Sequence, residues 1–305
     1  MINTLEDLLK NKARRMKLAV VACQDEDVIE SVIESANLGI TQPILIGDKE
    51  MTMKIVQKMG MSIEGFEFID EPDLIKSAEL GVRMVSEGNA DFIMKGLVDT
   101  SILMKAVLNK EWGLRTQSLI SHVMVYEVST YHKLLYLTDG GMNLEPNYED
   151  KIKILDNAIL VTKAMGVGEV KVAVLAAKEK VNPKMIATVD ADKLKVYSNE
   201  GGFGKEVTVE GPLALDLALS KEAASKKGME NLVVGDADIL LVPNIEMGNG
   251  IGKAITYLAG GIGAGVIMGA KVPVVLVSRA DDKKTKLYSI ALGNMVSKYL
   301  RENNL

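Results

Sequence analysis

Short, uninterrupted apolar runs alternate along the chain with longer segments whose apolar residues recur at helical spacing. Residues 18–22, 44–46, 92–94 and 134–137 read as strands buried on both faces. Between them, residues 25–38, 72–86 and 100–108 carry the helical pattern, and the first opens on acidic residues suited to a helix amino end. The rhythm returns in the second half, with strands expected at 171–176, 239–242, 266–268 and 274–277 and helices at 150–165, 212–227 and 251–258. Such alternation predicts a parallel sheet with helices on both faces, the α/β class. A strand pair, 119–128 and 133–138, joined by Ser129, Thr130 and Tyr131, precedes Pro146 and Asn147, which open the second half. Residues 190–209 mix charges with Gly201, Gly202 and Gly204 and show little periodicity, so they read as an irregular excursion.

Composition narrows the class. A length of 305 residues suits two domains, and 48% hydrophobic with 25% charged residues excludes disorder. The 36 Lys and Arg against 41 Asp and Glu give a net charge of -5, without the basic face that nucleic acid requires. One cysteine, Cys23, and two histidines, His122 and His132, leave no disulfide and no zinc cluster, and a reducing, cytoplasmic setting is expected. The first sixteen residues lack the apolar core of a signal peptide. Residues 254–277 carry a single charge, Lys271, but their glycines and Pro273 break the run into buried pieces rather than a membrane span.

Ligands of open α/β sheets sit beyond the carboxyl ends of strands, so the segments following the expected strands hold the candidate chemistry. After residues 92–94 come Lys95, Gly96 and Thr100, where Thr100 or Ser101 is set to cap a helix and present amides to an anion; ordinary capping is the plainer alternative. After residues 239–242 comes a glycine-rich stretch with Gly248, Asn249, Gly250, Gly252 and Lys253. It matches neither the Walker nor the dinucleotide spacing, yet suits a loop that approaches a phosphate closely. After residues 274–277 come Ser278, Arg279, Asp281 and Asp282, a hydroxyl, a guanidinium and two carboxylates where a phosphorylated substrate would bind. Capping of the last helix by an aspartate is the competing explanation. Taken singly, Arg115 reads as a solvated charge, His122 as a core histidine, Asp139 as a turn former, and the 17 methionines as core filler.

Together these segments resemble the phosphate acetyl/butyryl transferase family, most of all its butyryl branch. The resemblance is carried by the stretches 94–100, 109–115 and 121–123, Thr138 and Asp139 with Asn143, 181–185, 211–216, 235–239, Pro243 and Asn244 with Gly248, Asn249 and Lys253, and 278–281. It implies reversible transfer of an acyl group between coenzyme A and inorganic phosphate, with coenzyme A as substrate and no metal or tightly bound cofactor. Butyryl or branched chains are favoured over acetyl. It further implies two α/β/α domains flanking a deep cleft, as in the isocitrate and isopropylmalate dehydrogenases, with residues 1–128 and 270–305 in one domain and 129–269 in the other, assembled as a homodimer.

By the same resemblance Arg115 and Arg279 bind phosphate and stabilise charge, and Ser278 hydrogen-bonds the thioester carbonyl or its oxyanion. Lys95, Gly96, Thr100, Asp139, Asn249 and Lys253 contact substrate. The acetyl transferases place an aspartate seven residues after the serine, where this chain has Thr285. Asp281 is therefore the first candidate base and Asp282 the alternative, with Asp139 behind both. A non-catalytic acyl-CoA or phosphate-binding protein and a dehydrogenase of the shared fold are the rival readings.

Overall fold

The computed structural model describes residues 2–11, 14–277 and 282–305. It divides into two compact units, the first made of Leu5–Ser118 and Ala264–Leu305, the second of Met1–Thr4 and Leu119–Gly263. The borders thus fall at 118/119 and 263/264 rather than at 128/129 and 269/270. Residues 121–127 form a strand that pairs antiparallel with the strand at 135–138, and so are grouped with it.

The chain up to residue 118 gives α1 (Leu5–Lys10), β1 (Met16–Val21), α2 (Glu26–Asn37), β2 (Thr41–Gly47), α3 (Lys49–Lys58), β3 (Glu67–Asp70), α4 (Leu74–Ser86), β4 (Phe92–Lys95) and α5 (Thr100–Val107). Helices α2, α3 and α4 begin alike, because Asp25, Asp48 and Asp73 turn their carboxylates onto the amides of Val28, Met51 and Ile75. Residues 119–263 give β5 (Ser121–Glu127), β6 (Leu135–Thr138), α6 (Tyr148–Ala164), β7 (Val170–Leu175), α7 (Ile186–Asn199), β8 (Val207–Leu213), α8 (Leu215–Leu219), α9 (Lys221–Lys226), β9 (Ile239–Leu241) and α10 (Ile245–Tyr257). The chain closes with β10 (Ile262–Met268), β11 (Val274–Val275) and α11 (Lys283–Glu302).

In the first unit the strand order is β3-β2-β1-β4-β11-β10, parallel throughout except that β10 runs against β11. Adjacent residues of a strand point to opposite faces. Ile93 lies under Gly81 of α4 and Phe92 under Gly293 of α11, so helices cover both sides of β4. The α11 helix is tied to the sheet through polar atoms as well: Asn294 Oδ1 accepts the Met16 amide at 3.1 Å and Ser289 Oγ accepts the Gly265 amide at 2.9 Å.

The second unit has the order β5-β6-β9-β7-β8, parallel apart from the β5–β6 pair. Leu135, Leu137, Ala173, Leu175, Leu240 and Val242 form one apolar face, against which Met247, Ile251 and Ile255 of α10 and Leu217 of α8 pack. Val174, of opposite parity in β7, meets the other face, where Ala191 of α7 lies close to Gly211.

Three expectations change here. Residues 190–209 are no excursion: they lie in α7 and β8, a regular crossover unit beside β7. The α7 helix buries Thr188, Asp190, Ala191, Leu194 and Ser198, a small and largely polar face that leaves no apolar stripe in the sequence. The helix expected at 212–227 is two short helices, because Pro212 belongs to β8 and Ser220 caps α9 through the Ala223 amide. The sheet of the first unit also contains an antiparallel pair, β10–β11, whereas the β5–β6 pair is the one that its short connection predicted.

The polar face of α7 is held by a buried ion pair, Lys151 Nζ to Asp190 at 2.6 Å, both side chains more than nine-tenths covered. Removing one partner strands the other charge in a dry setting. Asp190→Ala is expected to lower the unfolding free energy by about 3–5 kcal/mol in a urea titration, and the double change Lys151→Met with Asp190→Leu to restore most of it.

Candidate active site

In the first unit, β4 and β11 lie side by side and parallel, with Val274 opposite Ile93 and Val275 opposite Met94. Their carboxyl ends therefore bring Lys95 and residues 276–277 out at the same end of the two strands. Lys95 is buried and turns its ammonium back onto the carbonyls of Gly96 and Val98, at 3.2 and 3.1 Å. Gly96 and Leu97 donate their amides to Val21 and Ala22 at the end of β1. These bonds make residues 95–98 a rigid corner in which Gly96 passes directly over the β1 backbone, where a Cβ would collide with the carbonyl oxygens of Val21 and Ala22.

The helix that follows is capped differently from the expectation. Asp99 is its N-cap residue and makes no side-chain cap hydrogen bond, while Thr100 and Ser101 form the exposed first turn. That leaves an α5 amino end with its dipole directed outward.

Ser278, Arg279 and Asp281 lie outside the described residues. Asp282, just after them, is the N-cap of α11 and accepts the Thr285 amide at 2.8 Å. The capping explanation thus holds for Asp282, and the amide it accepts belongs to Thr285, the residue at the family's aspartate position. Arg115 is exposed, and its backbone bridges Ala270 in the turn that leads into β11. Thr116 fixes the same turn by donating its hydroxyl to the Gly269 carbonyl at 2.6 Å. The structure therefore aligns Arg115 with the amino end of β11, whereas Lys95 stands at the carboxyl end of β4.

In the second unit, β6 and β9 are parallel neighbours with Thr138 opposite Leu241, so Asp139 and the start of α10 emerge together. Asp139 is buried and accepts four hydrogen bonds: Gly141 and Met142 amides on Oδ1 at 2.8 and 3.0 Å, and the Asn143 amide and side chain on Oδ2 at 3.2 and 2.6 Å. It organises the loop 139–143. Asn143, which the sequence reading left out of the candidate set, extends this network by donating to the Ile120 carbonyl at 2.9 Å. The signal for it was the four-residue spacing from Asp139, the reach of a carboxylate that collects successive amides of one turn.

The glycine-rich stretch is not a phosphate loop. Residues 245–257 are helix α10, capped by Asn244 through the Met247 amide at 3.1 Å. Its glycines serve packing: a Cβ on Gly248 would come within 2.7 Å of Gly140 Cα and 2.9 Å of the Asp139 carbonyl, and one on Gly252 within 2.8 Å of the Tyr126 hydroxyl. Helix and loop can touch backbone to backbone only because both sides lack a side chain there. Asn249 and Lys253 fall on the outer, exposed face of the same helix, with Lys253 Nζ 5.9 Å from the Tyr257 ring centre. His122 is half-buried, its ring against Gly141. Among the described residues no group of three or more His, Cys, Asp or Glu is placed to hold a metal ion, and no helix is long and apolar enough to cross a membrane.

Comparison with known proteins interprets these two strand-end clusters. The family model described as "Phosphate acetyl/butaryl transferase" matches residues 71–293, which include every element named above from β4 to the start of α11. A phosphate butyryltransferase of Clostridium acetobutylicum is 45% identical over 293 residues, covering 96% of this chain and 97% of its own. A phosphate acetyltransferase of Thermotoga maritima is 40% identical over 95% of this chain and 98% of its own. Among solved structures, a branched-chain phosphotransacylase from Enterococcus faecalis V583 is similar at a TM-score of 0.81 and 31% identity, with 92% of this chain and 99% of that chain covered. A match of this length, through both units and their strand-end loops, places the chain in the phosphate acetyl/butyryl transferase family.

Proposed function

We propose that the protein is a phosphate acyltransferase that moves a short acyl group reversibly between coenzyme A and inorganic phosphate, taking butyryl and branched chains in preference to acetyl. The observation that supports this best is the 45% identity to a phosphate butyryltransferase across 96% of the chain. In one direction a phosphate oxygen attacks the thioester carbonyl carbon. The new C–O bond forms, the tetrahedral oxyanion collapses, the C–S bond breaks, and coenzyme A departs as its thiolate. In reverse, a base takes the thiol proton, the thiolate attacks the acyl phosphate, and phosphate leaves.

The residues divide between these tasks. Arg115 and Arg279 hold phosphate and offset its charge, because guanidinium forks match phosphate oxygens. Ser278 donates to the developing oxyanion. The rigid corner at Lys95 and Gly96 fixes the start of α5, whose first turn at Thr100 offers further amides to an anion. Asn249 and Lys253, one turn apart on α10, meet the anionic coenzyme. Asp139, with four donors on its two oxygens, positions its loop rather than accepting a proton, and Asp282 is engaged as a cap. Asp281 is thereby left as the base. The interdomain cleft, the homodimer, the cytoplasmic location and the absence of a tightly bound cofactor are carried as parts of the same proposal.

Incubating the protein with acetyl-, butyryl- and isobutyryl-CoA and titrating free thiol tests the reaction. Phosphate-dependent release is expected, faster with butyryl- and isobutyryl- than with acetyl-CoA; folded protein that releases no thiol with any donor overturns the assignment. Arg115→Ala and Arg279→Ala are each expected to raise the KM for phosphate roughly 10–100-fold, the worth of a charge-assisted hydrogen bond. Ser278→Ala should lower kcat by about 10²–10³, as for loss of one oxyanion donor. The two aspartates separate in the thiol-consuming direction. Asp281→Asn is expected to slow it most at neutral pH and least above a pH of about 8.5, where the thiol ionises unaided. Asp282→Asn keeps the wild-type rate, because asparagine caps a helix as well as aspartate.

A further inference from the structure

The first residue after β1 has an unusual backbone. Ala22 lies at φ +51°, and among the described residues the only other non-glycine with a positive φ is Asn304, beside the last residue of the chain. A residue that carries a Cβ enters this region only where its surroundings hold it there. Ala22 is fully buried and is held at both of its backbone groups. Its amide donates to Ser77 Oγ of α4 at 3.0 Å, and its carbonyl accepts the Leu97 amide at 2.7 Å. The two torsions of Ala22 set the angle between these bonds, so fixing one directs the other.

Ser77 is itself buried and uses its hydroxyl twice. Besides accepting the Ala22 amide, it donates to the Ile46 carbonyl of β2 at 3.4 Å. One turn further along α4, Gly81 lets the helix sit against the same strand, since a Cβ there would collide with the Val21 side chain. The hydroxyl therefore stands at a fixed depth over the ends of β1 and β2. From it a continuous set of bonds runs to the candidate site. The Val21 and Ala22 carbonyls take the amides of Gly96 and Leu97, at 2.8 and 2.7 Å, and the Gly96 and Val98 carbonyls take the Lys95 ammonium. Asp99 and Thr100 begin α5 directly afterwards. Because Gly96 lies too close to the Ala22 carbonyl to admit a Cβ, the corner has no slack, and a shift of Ala22 passes to residues 95–98. Alanine at position 77 would leave the buried Ala22 amide without its acceptor and release its left-handed conformation.

We propose that Ser77 is a positioning residue for the acyl transfer: through Ala22 it sets the corner at Lys95 and Gly96 and the start of α5, which meet the phosphate. This rests on the function proposed above. Ser77 acts at a distance, so its loss weakens phosphate binding more than the chemical step. Steady-state kinetics well below Tm and hydrogen exchange, both on the whole protein, test it. In Ser77→Ala the KM for phosphate is expected to rise about tenfold with kcat within about threefold of wild type, and the Gly96 and Leu97 amides to exchange about tenfold faster. Glycine adopts φ +51° unaided, so the double change Ser77→Ala with Ala22→Gly is expected to bring the phosphate KM back to within about threefold of wild type; it serves equally if Ser77→Ala alone does not fold. Ser35 is a buried serine of α2 that bonds Thr41 at 2.8 Å, at the amino end of β2. Ser35→Ala is expected to lower Tm and leave the phosphate KM and the exchange of residues 96 and 97 as in wild type. A phosphate KM within about twofold of wild type in folded Ser77→Ala, a double variant that stays at the raised KM, or the same rise in Ser35→Ala each overturns the proposal. Wild-type protein that releases no thiol removes the reaction and this role with it, whereas an active wild type with unchanged Ser77→Ala kinetics removes the role alone.

Discussion

Strand β11 is two residues long, yet its parallel pairing with β4 governs what the first unit can do chemically. Val274 and Val275 sit opposite Ile93 and Met94, so chain segments about 180 residues apart in sequence leave the sheet at one edge. The two flanking antiparallel features serve the same pairing. β10 turns back onto β11, and Arg115 with Thr116 clamps the connecting turn through Ala270 and Gly269. α11 then covers β4 and β11 from one side, with Asn294 and Ser289 bonded into the sheet.

The second unit solves a similar problem with backbone contact rather than with cations. Asp139 gathers the amides of residues 141–143, and the resulting loop is flat enough for α10 to lie on it through Gly140 and Gly248. The glycines of α10 lower its intrinsic helical tendency. Tertiary packing of Met247, Ile251 and Ile255 against the sheet offsets that cost. A carboxylate spent on holding a loop and glycines spent on bringing a helix close both look, in sequence, like binding chemistry.

The amino ends of the same strands carry a different arrangement, in which Lys133, Lys171, Asp236 and Asp238 neutralise one another beside the unpartnered Tyr136 hydroxyl. Nothing in that set depends on the strand-end loops at the opposite pole. A single β-unit therefore presents two chemically distinct ends, one shaped by loop backbone and the other by side-chain charge.

Alternating apolar runs and amphipathic stretches were enough to establish the α/β class, most strands and the helices α2, α4, α5, α6 and α11, because buried strands and half-buried helices leave opposite periodicities. The ordered stretches around Lys95, Arg115, Asp139 and Ser278 were also sufficient to recognise the family. Sequence alone failed where burial was not apolar. The polar inner face of α7 hid a helix, since Asp190 is buried by pairing with Lys151, 39 residues away, and not by its own hydrophobicity. The glycines at 248 and 252 suggested a loop, because only the approach of Gly140 and Tyr126 reveals why a helix would lack side chains there. Likewise, the amides that Asp139 and Asp282 accept could not be read from the sequence. Periodicity is a local property and was legible along the chain; the partner of a buried polar group is set by contacts distant in sequence, and only the tertiary structure could decide it.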